Sequence, residues 1–187
     1  MWTHRRCPAR VCLVYAAATL LAHCTILSGV VIARLVRGDP RVPRSGIRNF
    51  RMVDGRLWAG SQPECAAYEL LARDGVRTVV DLREGTAADP VVDDGAALAR
   101  LGIARVAVPV PDGRAPSPRH VAAFLAALAS SPATTYVHCA AGVGRSTSLE
   151  MAYLAASGTP HGVLDQLAVG PPSIEQIAFV ASLDRRC

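Results

Sequence analysis

Cys139 and Arg145 bracket a run of small residues, Ala140-Ala141-Gly142-Val143-Gly144, and Ser146-Thr147 follow directly. The run comes after a β-like stretch, Thr134–His138, and leads into a helix-like stretch, Leu149–Ala156. Amide N–H groups at the start of a helix have no intrahelical acceptor and attract anions. Small residues let such a backbone close around a ligand, and the glycines allow the dihedrals a cradle needs. Arg145 can offer two parallel donors to two oxygens of a phosphate. The same positive field favours the thiolate of Cys139, a nucleophile able to accept a phosphoryl group. Ser146 places a hydroxyl where it can donate to that sulfur when it leaves again. A lone cysteine after a strand is more often a core residue. Here the arginine, both glycines and the Ser-Thr pair stand against that plain reading.

The segment His138-Cys139, five residues, Arg145, Ser146 resembles the signature of the cysteine-dependent protein tyrosine phosphatase superfamily. Three other stretches resemble its atypical dual-specificity members. They are the opening Phe50-Arg51 through Leu57-Trp58-Ala59-Gly60-Ser61-Gln62-Pro63, the strand Val76–Arg83, and a tail with Pro172, Gln176 and Phe179. The resemblance covers about residues 49–183. It implies an α/β fold with a mostly parallel central sheet flanked by helices. It also implies catalysis without cofactor or metal. Expelling an alkoxide or phenoxide from phosphorus needs a proton donor. The family carries an Asp for this on a loop upstream of the cysteine, and Asp112 matches, in Pro111-Asp112-Gly113. No other acid lies between Asp112 and Cys139. The rival reading is an ordinary turn Asp. His138 would then support the loop through hydrogen bonds.

The elements that must position these groups are legible from pattern. Phe50–Pro63 reads as a hairpin with Asp54-Gly55 at its turn. A helix follows over about 64–73, with Ser61 or Gln62 near its cap, and Asp74-Gly75 ends it. Val76–Arg83 is a strand; Asp81 and Arg83 are either a pair serving the loop or, as is more common, a structural ion pair. A helix over 89–101, a strand over 103–108 and a Ser117-capped helix over 118–129 come next. Val121, Phe124, Leu125 and Leu128 form the inner stripe of that last helix. Strand 134–138 carries the loop. Short helices over 161–168 and 174–183 close the chain, the last capped by Ser173. Alternating strands and helices predict a parallel sheet with its ligand loop at the carboxyl end of a strand.

Residues 11–33 contain no formal charge and approach the roughly 20 residues that span a bilayer. Arg5, Arg6 and Arg10 precede them; Arg34, Arg37, Arg41, Arg44 and Arg48 follow. The stronger flank predicts a single-pass anchor with the catalytic domain on the cytoplasmic side. A cleaved signal peptide and a buried core helix are the competing readings. The expected organisation is an apolar segment over 1–36, a linker over 37–48, and a phosphatase domain over 49–187. The linker lies on anionic headgroups or is a plain solvated tether.

The chain has 20 basic residues, all Arg, and a net charge of +5. The excess belongs to the N-terminus: the balance is +8 through Arg56 and −3 from Leu57 on. A mildly acidic folded part argues against nucleic-acid binding. The six cysteines form no Cys-x-x-Cys pair, so no metal site is expected. A catalytic thiolate calls for a reducing compartment, and Cys65 is a candidate partner should Cys139 be oxidised. Ala140, Ala141 and Val143 add no charge beside the cysteine. That favours a phosphorylated protein as substrate; an anchor would suit a phospholipid instead. A rhodanese-type sulfurtransferase and a phosphate-binding module without turnover are the remaining alternatives.

Overall fold

The computed structural model describes residues 9–90 and 94–183. Their strands form one sheet of order β1-β2-β5-β3-β4. These are β1 Arg51–Met52, β2 Leu57–Ser61, β3 Val76–Asp81, β4 Ala104–Ala107 and β5 Thr134–Cys139. Only β1 runs antiparallel, paired to β2 through the hairpin. Asp54 Oδ1 closes that turn by accepting from the amides of Arg56 and Leu57. β3 and β5 are buried almost throughout. This is why neither shows the strict alternation of a half-exposed strand, and why the polar Thr78, Asp81, Thr135 and His138 are buried with them. β5 lies in the middle, with Cys139 opposite Ser61 of β2 and His138 opposite Asp81 of β3.

Helices cover both faces. α2 Cys65–Arg73 and α3 Gly95–Arg100 bury Tyr68, Leu71 and Leu98 against Val76, Val79 and Tyr136. α4 Pro118–Ser130 and α5 Arg145–Ala156 bury Phe124, Leu128 and Leu149 against Val80 and Val137. Each such side chain contributes about 1.5–3 kcal/mol by leaving water. α4 starts as its sequence predicts: Ser117 Oγ accepts from the His120 amide, and the His120 ring returns the bond to the Ser117 amide. α6 Val163–Val169 and α7 Ile174–Leu183 pack beside α5.

Several expectations need correction. α2 begins at Cys65 with Glu64 at its N-cap and no side-chain cap, so neither Ser61 nor Gln62 serves there. Instead Ser61 Oγ accepts from the Arg48 amide. The helix expected over 89–101 is only Gly95–Arg100. Residues 84–90 form a loop, because Asp89 turns its amide onto Thr86 and its carbonyl onto the Gly85 amide. Residues 91–93 lie outside the described part.

α1 Ala9–Arg37 is the apolar helix, and its last third is docked on the domain. The segment read as a linker is not a bare tether. Ile47 is buried beside Phe50, and Arg44 pairs with Asp74 while its guanidinium lies 4.9 Å from the Phe50 ring centre. The aromatic pair Phe50–Trp58 supplies the surface that sequence periodicity did not show.

Candidate active site

The loop from Cys139 to Arg145 is held from outside by its carbonyls. Ala140 O accepts from the Gln62 amide at 3.3 Å, and Ala141 O from Asn49 Nδ2 at 2.9 Å. Gly142 O accepts from Arg51 Nη1 at 2.9 Å, and Gly144 O from the Ser148 amide at 3.0 Å. In a planar trans peptide the next N–H points the opposite way. The amides of Ala141, Gly142, Val143 and Arg145 are therefore turned inward, toward the sulfur. The Gly142 amide shows it directly, donating to Cys139 Sγ at 3.2 Å.

Gly142 is needed at its position twice over. Its φ is +76°, and a Cβ there would lie 2.3 Å from the Gly60 carbonyl carbon. Only glycine lets the loop press on β2 so closely.

Cys139 is buried at the end of β5, with Ser146 Oγ 3.7 Å from its sulfur. Arg145 is the first residue of α5 and is also buried. Its Nη1 donates to Asp89 at 2.5 Å and to Val110 O at 3.1 Å; its Nη2 donates to Asp89 at 3.1 Å. Nη2 also lies 3.1 Å from Asp112 Oδ1. The Nε of Arg145 is buried with no partner. One donor of the fork is thus left unclaimed among the described residues and available to a ligand oxygen. Asp89 is held in its ionised form, below the usual carboxylate range, chiefly by the Arg145 hydrogen bonds.

Asp112 itself is exposed; its backbone amide donates to Glu84 at 3.2 Å. Its loop is pinned from the far side by the first turn of α7. Glu175 accepts from the Ala115 amide and from Arg114, and Gln176 donates to Arg114 O. Gln176 also packs on the loop: a Cβ on Gly144 would lie 2.5 Å from its Oε1. One helix start therefore holds both the acid loop and the anion loop.

His138 is fully buried, and burial pushes its imidazole down to about 4, so the ring is neutral. Its Nδ1 lies 3.4 Å from Cys139 O, a contact that needs the proton on that nitrogen. Asp81 and Arg83 form a buried pair joined by Arg105. Burial alone would raise the Asp81 carboxyl, but the hydrogen bonds from Arg83 and Arg105 outweigh it and hold it below its usual range. This is the structural reading of that pair: it underlies the sheet end beside His138 and does not enter the loop.

The structure thus brings Cys139, the backbone of residues 140–144, Arg145, Asp112, Ser146 and His138 into one place. Sequence reasoning passed over Asp89, Asn49 and Glu175, and read Arg51 and Gln176 only as parts of a resemblance. Arg51 is fully buried, bonded to Glu150 at 2.6 Å and to Thr147 at 3.0 Å. A signal for Asp89 existed: it sits in a loop of small residues at the carboxyl end of β3, where open sheets bind ligands. Cys65 is exposed and Cys139 buried, both as free thiols. No group of His, Cys, Asp and Glu able to hold a metal occurs among the described residues.

Residues 44–180 match the family described as PTP-NADK, DSP-PTPase phosphatase fused to NAD+ kinase. The chain belongs to this family of cysteine-based phosphatases. No curated protein matches it. Among solved structures, a DUF442 protein from Shewanella putrefaciens CN-32 aligns with a TM-score of 0.66 at 23% identity, over 75% of this chain and 92% of that one. PTPMT1 in complex with PI(5)P gives 0.60 at 15% identity, over 73% and 95%. A cysteine-to-serine form of P. aeruginosa TpbA in complex with pTyr gives 0.54 at 18% identity, over 72% and 81%.

Proposed function

We propose that the protein hydrolyses phosphomonoesters on phosphorylated proteins through a phospho-cysteine, with α1 anchoring it to a membrane on the cytoplasmic side. The observation that carries this is the cluster around Arg145: sulfur under inward amides, an unpartnered Nε, and Asp112 at 3.1 Å from Nη2. In the first step Cys139 Sγ bonds to phosphorus while the P–O bond to the leaving group breaks. Protonated Asp112 gives its proton to that oxygen. In the second step Asp112, now a carboxylate, takes a proton from water as its oxygen attacks phosphorus. The P–S bond breaks with its electron pair returning to sulfur. Ser146 Oγ donates to the returning thiolate. Arg145 and the amides of Ala141, Gly142, Val143 and Arg145 hold the three equatorial oxygens in both steps.

Ala140, Ala141 and Val143 bring no side-chain charge to the loop, which favours phosphotyrosine, phosphoserine or phosphothreonine over a polyanionic head group. A phosphoinositide is the second reading, because the apolar helix α1 packs on the same α6 that borders the loop. Both substrate classes occur in the solved neighbours, pTyr on TpbA and PI(5)P on PTPMT1.

The test is hydrolysis by the full chain in detergent, beside Cys139→Ser and Asp112→Asn. Wild type should release phosphate from an aryl phosphate and a phosphotyrosine peptide, and Cys139→Ser should be dead. Asp112→Asn should lose more on the peptide, whose leaving group needs the proton. A wild type that binds phosphate yet turns over neither substrate overturns the reading in favour of a binding module. Faster release from phosphoinositide than from peptide selects the lipid alternative.

A further inference from the structure

α1 carries two stripes that meet different surroundings. Ile26, Val30 and Ala33 lie on one side and pack against Val163, Leu167 and Ala168 of α6 and Ile177 of α7. Arg34 fixes this side. Its Nε donates to Ala168 O at 2.9 Å and its Nη2 to Val169 O at 3.2 Å. Those carbonyls end α6 and have no partner within that helix. Arg37 pairs with Asp165 at 3.4 Å. On the opposite side, at helical spacing, Leu27, Val31 and Leu35 are exposed, with Ile32 and Val36 beside them. Leu164 of α6 and Ile174 at the start of α7 are exposed as well. Ile174, Pro171 and Pro172 share an open cleft with Ile26 and Leu27.

A water-exposed apolar surface of this extent calls for a cover. Its chemistry selects the cover. No charge occurs from Cys12 to Ala33, and the helix is long and apolar enough to cross a membrane. Five arginines follow at one end: Arg34 is bonded to the α6 carbonyls, Arg37, Arg41 and Arg44 are paired with Asp165, Asp39 and Asp74, and Arg48 is the one with no ion pair among the described residues, left to meet an anionic headgroup. Docking, however, limits insertion. With Ile26–Arg37 held on the domain, residues 12–25 supply about 21 Å of free helix against a hydrocarbon core of about 30 Å.

We propose that α1 stays docked on α6 and meets an anionic lipid bilayer along Leu27, Val31 and Leu35, joined by Leu164 and Ile174. The catalytic domain is then seated on the membrane surface and not hung from a tether. This rests on the membrane reading of α1 given above. It sets the distance to the active site as well. Gly170, directly after α6, lies so near the anion loop that a Cβ on it would meet Val143 Cγ1 at 2.9 Å. A single short helix separates the lipid-facing helix from the loop.

The test uses the full chain in vesicles of phosphatidylcholine and phosphatidylglycerol, with Trp2 and Trp58 replaced by Phe. Single tryptophans are introduced as Leu35→Trp, Leu164→Trp, Ile174→Trp and, on the far helix α4, Arg119→Trp. Quenching by brominated acyl chains is expected at the first three and not at the fourth. Adding Ala33→Arg, which breaks the docked stripe, should abolish quenching at 164 and 174 while Leu20→Trp stays quenched. Quenching at Leu20→Trp alone in the otherwise unaltered chain means a released, spanning helix and overturns the proposal. So does burial of the outer stripe in a stable dimer that leaves lipid unquenching. Aryl phosphate hydrolysis by the same vesicles reads the phosphatase assignment separately, since quenching does not depend on turnover.

Discussion

Arg145 grips Asp89 with both ends of its guanidinium, Nη1 at 2.5 Å and Nη2 at 3.1 Å from the two carboxylate oxygens, and both side chains are buried. The bidentate contact fixes the plane of the fork. Nε is left as the donor of the fork with no partner among the described residues.

Asp89 is in this sense a positioning residue for Arg145. Asp89→Asn should lower kcat/KM by about tenfold to a hundredfold, the scale of losing part of an oxyanion clamp. Affinity for orthovanadate, which has the geometry of the transition state, should fall more than affinity for phosphate. Equal losses for both would mean that Asp89 supports only ground-state binding.

Arg51 and Glu150 test the scaffold beneath the loop. Both are buried, and burial raises the Glu150 carboxyl despite its partner. Arg51→Met should cost about 3–5 kcal/mol by stranding Glu150. Arg51→Met with Glu150→Met should recover much of that in urea unfolding. Phosphate affinity should not recover, because Gly142 O and Thr147 Oγ have lost their donor.

Gly142→Ala adds a left-handed-φ penalty of about 1–2 kcal/mol to a collision with the β2 backbone. Thermal unfolding should move down by several degrees, and the loop should no longer bind phosphate. An active, stable Gly142→Ala protein would show that the loop does not need its close seat on β2.

His138 gives the stability a pH dependence. In the unfolded chain its ring protonates near 6.5, in the folded chain only near 4. Between these values the unfolded chain binds more protons, so stability is full above about pH 6.5 and falls as pH drops through 4. The gap is worth up to about 3 kcal/mol. Asp81, held below its ordinary range, extends the loss to lower pH. Urea midpoints at about pH 7.5 and about pH 5 should differ, and His138→Gln should shrink the difference.

Glu175 tests the hold of α7 on the acid loop. Glu175→Ala frees the Ala115 amide and Arg114. The rate on phosphotyrosine peptide should drop several-fold, while an aryl phosphate with an activated leaving group changes little. A uniform drop would point to the anion loop and not to the proton donor.

The parts legible in sequence were those with local chemistry. The anion loop, the Ser117 cap and the Asp54-Gly55 turn follow from spacing and short-range hydrogen bonding, whereas the strand order around β5 rests on pairings far apart in sequence. Arg51 was opaque as a scaffold residue because its partner Glu150 is 99 positions away, and nothing in a five-residue window says that an arginine will be buried. Asp89 was misplaced for a related reason. Helix propensity across Ala and Leu carried the expected helix back to it, while Thr86 and Arg145 claimed it for a loop. α1 lies between two readings: its first half exposes apolar side chains, and its second half docks one stripe, Ile26, Val30 and Ala33, while leaving Leu27, Val31 and Leu35 exposed.

Each buried arginine near the loop comes with its own carboxylate: Arg145 with Asp89, Arg51 with Glu150, Arg83 with Asp81. The site therefore projects little net positive charge into solvent. Attraction for a dianion must come from oriented peptide dipoles, which act only over a few ångströms. Capture is then nearly indifferent to ionic strength, without the long-range steering that a bare basic cleft provides. A phosphate group must be delivered almost into contact before the protein senses it.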